Sequence, residues 1–458
     1  MNRKALVFLI IFALINLQIC DPAYSEKKVT PPKISDTNTN LNKKTIDKNT
    51  IKYLTKEAEK GDAVAQYKLG IVYEIGQGVP QNYKQACIWL RGAAEQGIAD
   101  AQHNLGWMYT RGQGVPQDFK EACKWFRKAA DQGNPAAQYT LGLMLSTGLT
   151  HSKNENEASL WLLKASEKGH AAAQYSLAMM YMNGKSVPQN YTEAYEWFKK
   201  AAKTGNADAQ YNLGMMYFNG QGVSKNYEEA YRWLRKAADQ DIPEAQHLLG
   251  LLYGSGKGVT QDFNKASKWH QRAAKKGNTD AQYFLGVIYE AGQGVPQNIS
   301  KAFKWYKKAA EQGLADAQYH LGEMYYKGGG VTQNYEKAYI WYRKAAEKGH
   351  TDAQNNIGDM YYKGQGVPRN YAEAGIWYHK AAQQGLAMAQ NNLGRMYDSG
   401  YGMPPNFIKA YIWFSMAVAN GIKEAETHRA NLEHKMTPQQ VTKAQTEASK
   451  LWKKLSIN

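Results

Sequence analysis

The sequence predicts an all-α, right-handed superhelical α/α solenoid, and three observations carry that prediction. The dipeptide Ala-Gln recurs at Ala65, Ala101, Ala137, Ala173, Ala209, Ala245, Ala281, Ala317, Ala353 and Ala389, always 36 residues apart and without insertion or deletion. A fixed period of this size marks a chain of stacked supersecondary units. Each period also holds two apolar stripes at helical spacing, and a glycine-rich break separates them.

Copy five shows how each slot is used. Ala209, Leu213, Met216 and Tyr217 fall at i, i+4, i+7 and i+8, one face of a helix. Gly220-Gln221-Gly222 supplies the backbone freedom for a tight C-terminal turn. Asn226 is a good N-cap for a second helix, whose inner face carries Tyr227, Ala230, Trp233, Leu234, Ala237 and Ala238. No single helix pair buries both of its apolar faces, so ten copies stack over residues 51–424. Residues 425–458 hold a degenerate eleventh copy, started by Ala425, and a capping helix that begins at Thr437-Pro438 and runs to Trp452.

Small residues predict how each pair closes. Gly214 sits inside a helix, where Gly costs about 0.8–1.0 kcal/mol relative to Ala. Its slot is nevertheless Gly in nine of ten copies, Ala178 being the exception, and the slot of Ala230 is Ala in all ten. That repetition predicts close approach of the two helices at the place where a Trp packs. Ten of the twelve Trp share one slot (Trp89, Trp125, Trp161, Trp197, Trp233, Trp269, Trp305, Trp341, Trp377 and Trp413) and are assigned to the core.

The N-terminus reads as a targeting segment. Arg3 and Lys4 precede an apolar run from Ala5 to Ile15, and Ala23-Tyr24-Ser25 is a small-x-small cleavage pattern. Residues 1–25 are therefore expected to be a secretory signal peptide. The run is well short of the ~20 residues that span a bilayer, so no membrane span is expected. Cys20 faintly suggests lipoprotein processing, but Ile19 is too bulky for that cut. Residues 26–50 lack a sustained apolar period and are expected to be a flexible linker. The protein is read as exported, periplasmic or secreted. Export would place Cys87 and Cys123 in an oxidising compartment. Equivalent positions in stacked helices lie at least about 8–10 Å apart, beyond the roughly 4.4–6.8 Å a disulfide needs. Two separate buried thiols are expected.

Apolar residues make up 43% of the chain, which excludes wholesale disorder, and the formal charge of +17 points weakly toward anionic partners. Chemistry-bearing constellations are sparse. The ten His are scattered, with His103 and His247 in Tyr slots and His270 and His379 late in second helices. All are assigned to surface or groove. No His-x-x-x-His or Cys-x-x-Cys pair occurs, so no metal, cofactor or catalytic residue is expected.

Basic residues recur late in the second helix: Arg127-Lys128, Lys199-Lys200, Arg235-Lys236, Lys307-Lys308 and Arg343-Lys344. With Glu in the first turn, at Glu121, Glu157, Glu193, Glu229 and Glu373, they complement the helix macrodipole. The alternative is a cationic stripe that holds an anionic glycan such as peptidoglycan. Nucleic acid is not an expected partner, because no nucleic-acid-binding motif is visible.

The repeated pattern A-x-A-Q-x-x-L-G-x-x-Y-x-x-G-x-G-V-x-x-[ND]-[YF]-x-x-A-x-x-W-x-x-K-A-A resembles the Sel-1-like repeat family, a relative of the tetratricopeptide repeat, over about residues 55–425. Copy three departs most, with Thr150-His151-Ser152 in the loop, Leu145 for Tyr and Glu155 for the aromatic; a local bend is expected there. The resemblance implies a scaffold or adaptor whose first helices line a concave groove for a protein or extended peptide. It also implies roles in the cell envelope or at a host cell. Carried over slot by slot, the groove residues are His103, Asn104 and Trp107 early, and Tyr211, Asn212 and Phe218 in the middle. Late copies supply Tyr319, His320, Glu323, Tyr326 and Lys327, then Asn355, Asn356, Asp359, Tyr362 and Lys363, then Asn391, Asn392 and Arg395.

Some cysteine-rich relatives are associated with β-lactams, and Lys203-Thr204-Gly205 and Ser25-Glu26-Lys27-Lys28 superficially match two β-lactamase motifs. No Ser-Asp-Asn accompanies them, and the relatives' disulfide in every repeat is missing. The chain is read as a non-enzyme.

Overall fold

A computed structural model describes residues 46–148 and 154–455. Every described element is helical. Each copy contributes two 13-residue helices, from Ala63–Ile75 and Tyr83–Glu95 in copy one to Ala387–Ser399 and Phe407–Ala419 in copy ten. Copies one to five lie in one compact unit, and most of copy six with copies seven to ten lies in a second.

The loop and cap chemistry follows the sequence reading. Gly220 takes a left-handed conformation at φ 75° and returns its N–H to the Met216 carbonyl at 2.8 Å. Gly222 serves a second purpose, because a Cβ there would fall 2.1 Å from the Tyr191 carbonyl oxygen of the preceding copy. The Asn226 side chain accepts from the N–H groups of Glu228 and Glu229 at 3.0 and 3.1 Å.

Close approach of the paired helices occurs one residue beyond the predicted place. The side chain that fills the notch at the mid-helix Gly belongs to the residue after the Trp. A Cβ on Gly214 would lie 2.7 Å from Leu234, on Gly106 2.8 Å from Phe126, and on Gly322 2.6 Å from Tyr342. These notch residues are wholly buried: Leu234 and Phe126 are 0% exposed and Tyr342 is 1%.

The Trp assignment needs the matching correction. Trp125, Trp161, Trp197, Trp269 and Trp413 are buried, whereas Trp89, Trp233, Trp305, Trp341 and Trp377 are half-buried at the rim. In copies two to nine a cation one turn further on covers the ring. Lys128 stands 4.1 Å from the Trp125 centroid, Lys200 3.7 Å from Trp197, and Arg272 4.6 Å from Trp269.

Within each unit the Gln of Ala-Gln joins one copy to the next. Gln102 donates from Nε2 to the Ala94 carbonyl at 3.0 Å, and its Oε1 accepts from Gln132, thirty residues on, at 2.8 Å. Gln210 with Gln240, Gln282 with Gln312, and Gln354 with Gln384 repeat the link. Where Lys168, Thr204 or Lys348 replaces the second Gln, the Oε1 of Gln138, Gln174 or Gln318 is buried without a partner.

At the ends, a helix begins at Lys48, inside the expected linker. Asp47 caps it by accepting from Thr50 N at 2.7 Å, and Ile51, Leu54 and Ala58 pack with Leu69 and Val72 of copy one. Enough apolar surface lies there to order the chain. The signal-peptide reading and the rest of the linker fall outside the described residues. The C-terminal helices are Lys423–Glu433 and Pro438–Leu455, and Ala444 of the latter packs with Ala410 and Tyr411. Thr437 and Gln440 exchange the two hydrogen bonds of a capping box at 2.9 and 3.3 Å. Cys87 and Cys123 are both free thiols, Cys87 buried and Cys123 only half-buried. In copy three the helices Pro135–Thr147 and Glu155–Glu167 keep their usual length, while its loop, residues 149–153, lies outside the described residues.

The orphan Gln acceptors give a prediction with an unusual sign. Lys168→Gln and Lys348→Gln restore the missing donor, and a net hydrogen bond contributes about 0.5–1.5 kcal/mol. Each substitution should raise the stability measured by urea unfolding. Loss of stability in both would refute the linking role of these glutamines.

Candidate functional site

The first-helix face of copies eight and nine carries a polar network built from beneath. In each, the notch residue is a Tyr whose hydroxyl passes the mid-helix Gly to reach a carboxylate. Tyr342 donates to Glu323 Oε1 at 2.9 Å, and Tyr378 donates to Asp359 Oδ1 at 2.6 Å. Tyr306 does the same in copy seven, donating to Glu290 Oε2 at 2.6 Å. Burial and the adjacent carboxylate hold all three phenols protonated, with pKa values above the ordinary range.

The neighbours extend the network along the face. Lys327 pairs with Glu323, and Lys363 stands 3.9 Å from Asp359. Asn356 reaches back to Glu323 at 3.5 Å. Asn392 donates to Asn355 at 3.2 Å and reaches Asp359 at 3.5 Å. The Tyr326 hydroxyl donates to Gln365 at 2.8 Å, and Tyr362 meets Tyr371 edge-on at 5.1 Å. Tyr319 stacks on His350 at 4.4 Å and His320 on Tyr306 at 5.0 Å. Burial lowers the pKa of both imidazoles, so they are held neutral.

The candidate groove residues therefore separate into three groups. Lys327, Lys363 and Arg395 are exposed. Tyr319, His320, Glu323, Tyr326, Asn356, Asp359, Tyr362 and Asn392 are half-buried and joined by the contacts above. Asn355 and Asn391, at 8% and 4% exposure, are buried because the first slot after Ala-Gln turns toward the neighbouring helices.

The earlier copies do not repeat this arrangement. His103 accepts from Trp107 Nε1 at 3.1 Å, Arg111 lies 5.0 Å from the Trp107 ring, and Asn104 is buried. Burial brings the His103 pKa down to about 4. Tyr211 and Asn212 are half-buried, and Asn212 donates to the Asp208 carbonyl at 2.8 Å. Phe218 is 2% exposed and packs edge-on against Tyr227 at 5.4 Å, so it is core and not groove. His247 and His270, assigned to surface or groove, are buried as well, because the notch slot and its neighbour are enclosed by the helix pair.

The basic stripe is engaged elsewhere. Arg127 pairs with Glu157 at 2.6 Å, Arg235 with Asp239 at 2.9 Å, Lys307 with Glu311 at 3.8 Å and Arg343 with Glu347 at 2.9 Å. Lys128, Lys200, Lys236, Lys308 and Lys344 cover their Trp rings, and Lys199 lies over Tyr195 at 5.1 Å. Lys203-Thr204-Gly205 is an inter-repeat turn in which the Thr204 hydroxyl donates to the Ala201 carbonyl at 2.7 Å. Among the described residues, no group of three metal-ligating side chains converges, and no helix is long and apolar enough to cross a membrane.

Sequence reasoning missed the buried Tyr beneath the face, although the signal was present. In the five copies before His270 the notch residue is Leu or Phe, and the slot after Leu-Gly (Leu-Ala in copy four) is apolar: Ile71, Trp107, Leu143, Met179 and Met215. In copies eight and nine both change together, to Tyr342 with Glu323 and Tyr378 with Asp359.

Ten successive segments, from residues 63–98 to residues 387–422, each match the Sel1 repeat. The chain belongs to the Sel1 repeat family. This Sel1 protein is similar to c5321, a protective antigen of uropathogenic Escherichia coli that displays the same fold. The two share 37% identity over 89% of this chain and 87% of that one, with a TM-score of 0.84. A Sel1 repeat protein from Oxalobacter formigenes is 34% identical over 68% of this chain and 90% of its own, with a TM-score of 0.54. No curated protein matches.

A double-mutant cycle tests the Tyr–carboxylate pairing. Tyr342→Phe takes one of its donors from half-buried Glu323, and Glu323→Leu takes the acceptor from the Tyr342 hydroxyl, while both together recreate the apolar pairing of the early copies. The two changes should couple by about 0.5–3 kcal/mol in chemical unfolding, the double variant being more stable than the single effects sum to. Additivity would show that the pair is incidental.

Proposed function

We propose that this member is an exported adaptor that holds a protein or extended peptide against the first-helix face of copies eight to ten. Sel1 solenoids generally mediate protein–protein interactions and are generally not enzymes. The observation that carries the reading is the network itself. Glu323, Asp359, Asn356 and Asn392 are fixed in place by hydrogen bonds from below and beside them. Half-buried Tyr326 and Tyr362 add rigid contact area at low entropic cost. Pre-ordered side chains lose little freedom on binding, which favours affinity. The exposed cations Lys327, Lys363 and Arg395 would then set the charge a partner must present. Export rests on the layout of residues 1–25, and a periplasmic or secreted location follows from it.

Most cations of the basic stripe are exposed, but ion pairs and ring contacts engage them within the chain, so an anionic glycan would compete with those contacts and the glycan reading stands second. Capture from cell-envelope extract with residues 26–458 tests the adaptor reading. A variant carrying Lys327→Ala, Lys363→Ala and Arg395→Ala should keep its helicity and lose the specific partner at least tenfold. Equal recovery by parent and variant would remove this face as the binding surface.

A further inference from the structure

Copy six fills its notch with a histidine. Where the other copies place Leu, Phe or Tyr, His270 is 0% exposed and stacks on Phe284 at 5.4 Å with the rings 13° apart. Its Nδ1 lies 3.2 Å from Nδ1 of His247, which is itself 7% exposed. A Cβ on Gly250 would fall 2.5 Å from His270 Nε2, so the ring is pressed against the opposing helix. That Nε2 has no hydrogen-bond partner.

We infer that the His247–His270 pair makes copy six an acid-sensitive weak point, packed while both imidazoles are neutral and loosened when acid drives protons onto them. The hydrogen bond needs one Nδ1 with its hydrogen facing one with its lone pair. A proton taken up by His270 keeps that bond when it goes to Nε2, but it leaves a charge on a fully buried ring on which no carboxylate acts. A second proton sets two N–H donors and two positive charges against each other at 3.2 Å.

The surroundings offer no compensation to His270. Charged groups on the three helices around it are Glu244, then Lys265, Lys268, Arg272 and Lys275 on its own helix, then Asp280 and Glu290. None of them forms an ion pair with His270, and the charges nearest in sequence are cations. His247 is the one group that acts on it electrostatically, and burial with that neighbour moves its pKa downward. A base whose folded pKa lies below its unfolded value stabilises the fold above the unfolded value, about 6.5, and loses that contribution as pH falls. The window therefore opens below about pH 6.5. This inference is independent of the adaptor reading.

Hydrogen exchange of the full chain at pH 7.5 and pH 5.0, corrected for the intrinsic chemical rate, tests it. Copy four is the internal reference, since it carries Phe198 in the notch and contains no histidine. Amides of residues 243–285 should lose protection by about tenfold or more relative to copy four at pH 5.0. In His270→Phe that excess should vanish; His270→Leu, the residue of copies one, three and five, serves if the Phe variant does not fold. Equal protection changes in copies four and six, or an excess that persists in the variant, would overturn the inference. So would an imidazole NMR titration in which His270 of the parent titrates near pH 6.5 with the fold intact.

Discussion

The structure depends on one steric constraint, the closeness of the two helices of each copy at the mid-helix glycine. In nine copies a side chain from the second helix occupies the space a Cβ would need, with notional approaches of 2.4–2.8 Å. Gly inside a helix costs about 0.8–1.0 kcal/mol, and burying a large apolar side chain contributes roughly 1.5–3 kcal/mol. The second effect outweighs the first, so the expensive residue recurs. Copy four alone carries Ala178, opposite Phe198. Phe198 has no hydroxyl to tether its ring, whereas Tyr342 and Tyr378 are held by Glu323 and Asp359.

The same slot controls what the outer surface of the first helix displays. In copies one to five an apolar notch residue ends beneath the Gly (Ala178 in copy four), and the next slot is apolar too; copy ten departs, with Arg395 above Phe414. A Tyr reaches further and brings a carboxylate with it, which in turn orders Lys and Asn side chains from its own and the following copy. His270 instead recruits His247. In copies eight and nine the polarity of the face is thus set from inside the pair.

Much of the architecture was legible because a strict period identifies equivalent positions, and because Gly, Asn and Pro have local meanings that survive in any context. The period does not say how neighbouring copies cover those positions. Asn355 and Asn391 were therefore placed in a groove although the stack buries them, and Phe218 was misplaced for the same reason. Lys128, Lys200, Lys236, Lys308 and Lys344, each three residues beyond a Trp, were read as helix-end charge, although that spacing also sets an ammonium over the ring. His247 and His270 are 23 residues apart and were weighed singly, so their pairing across the two helices went unseen. Lys48 was assigned to a linker because one amphipathic turn against copy one shows no period of its own.

The most direct test of the steric constraint is the stability of Gly322→Ala, measured by urea unfolding. Helix propensity alone would make Ala the better residue by about 0.8–1.0 kcal/mol. A Cβ at this position meets the Tyr342 ring at 2.6 Å, and the ring is anchored by Glu323. Overpacking of this kind costs typically 1–3 kcal/mol, so the variant should be less stable than the parent. A variant more stable by the propensity difference would contradict the account, since the helices would then have room that the notch denies.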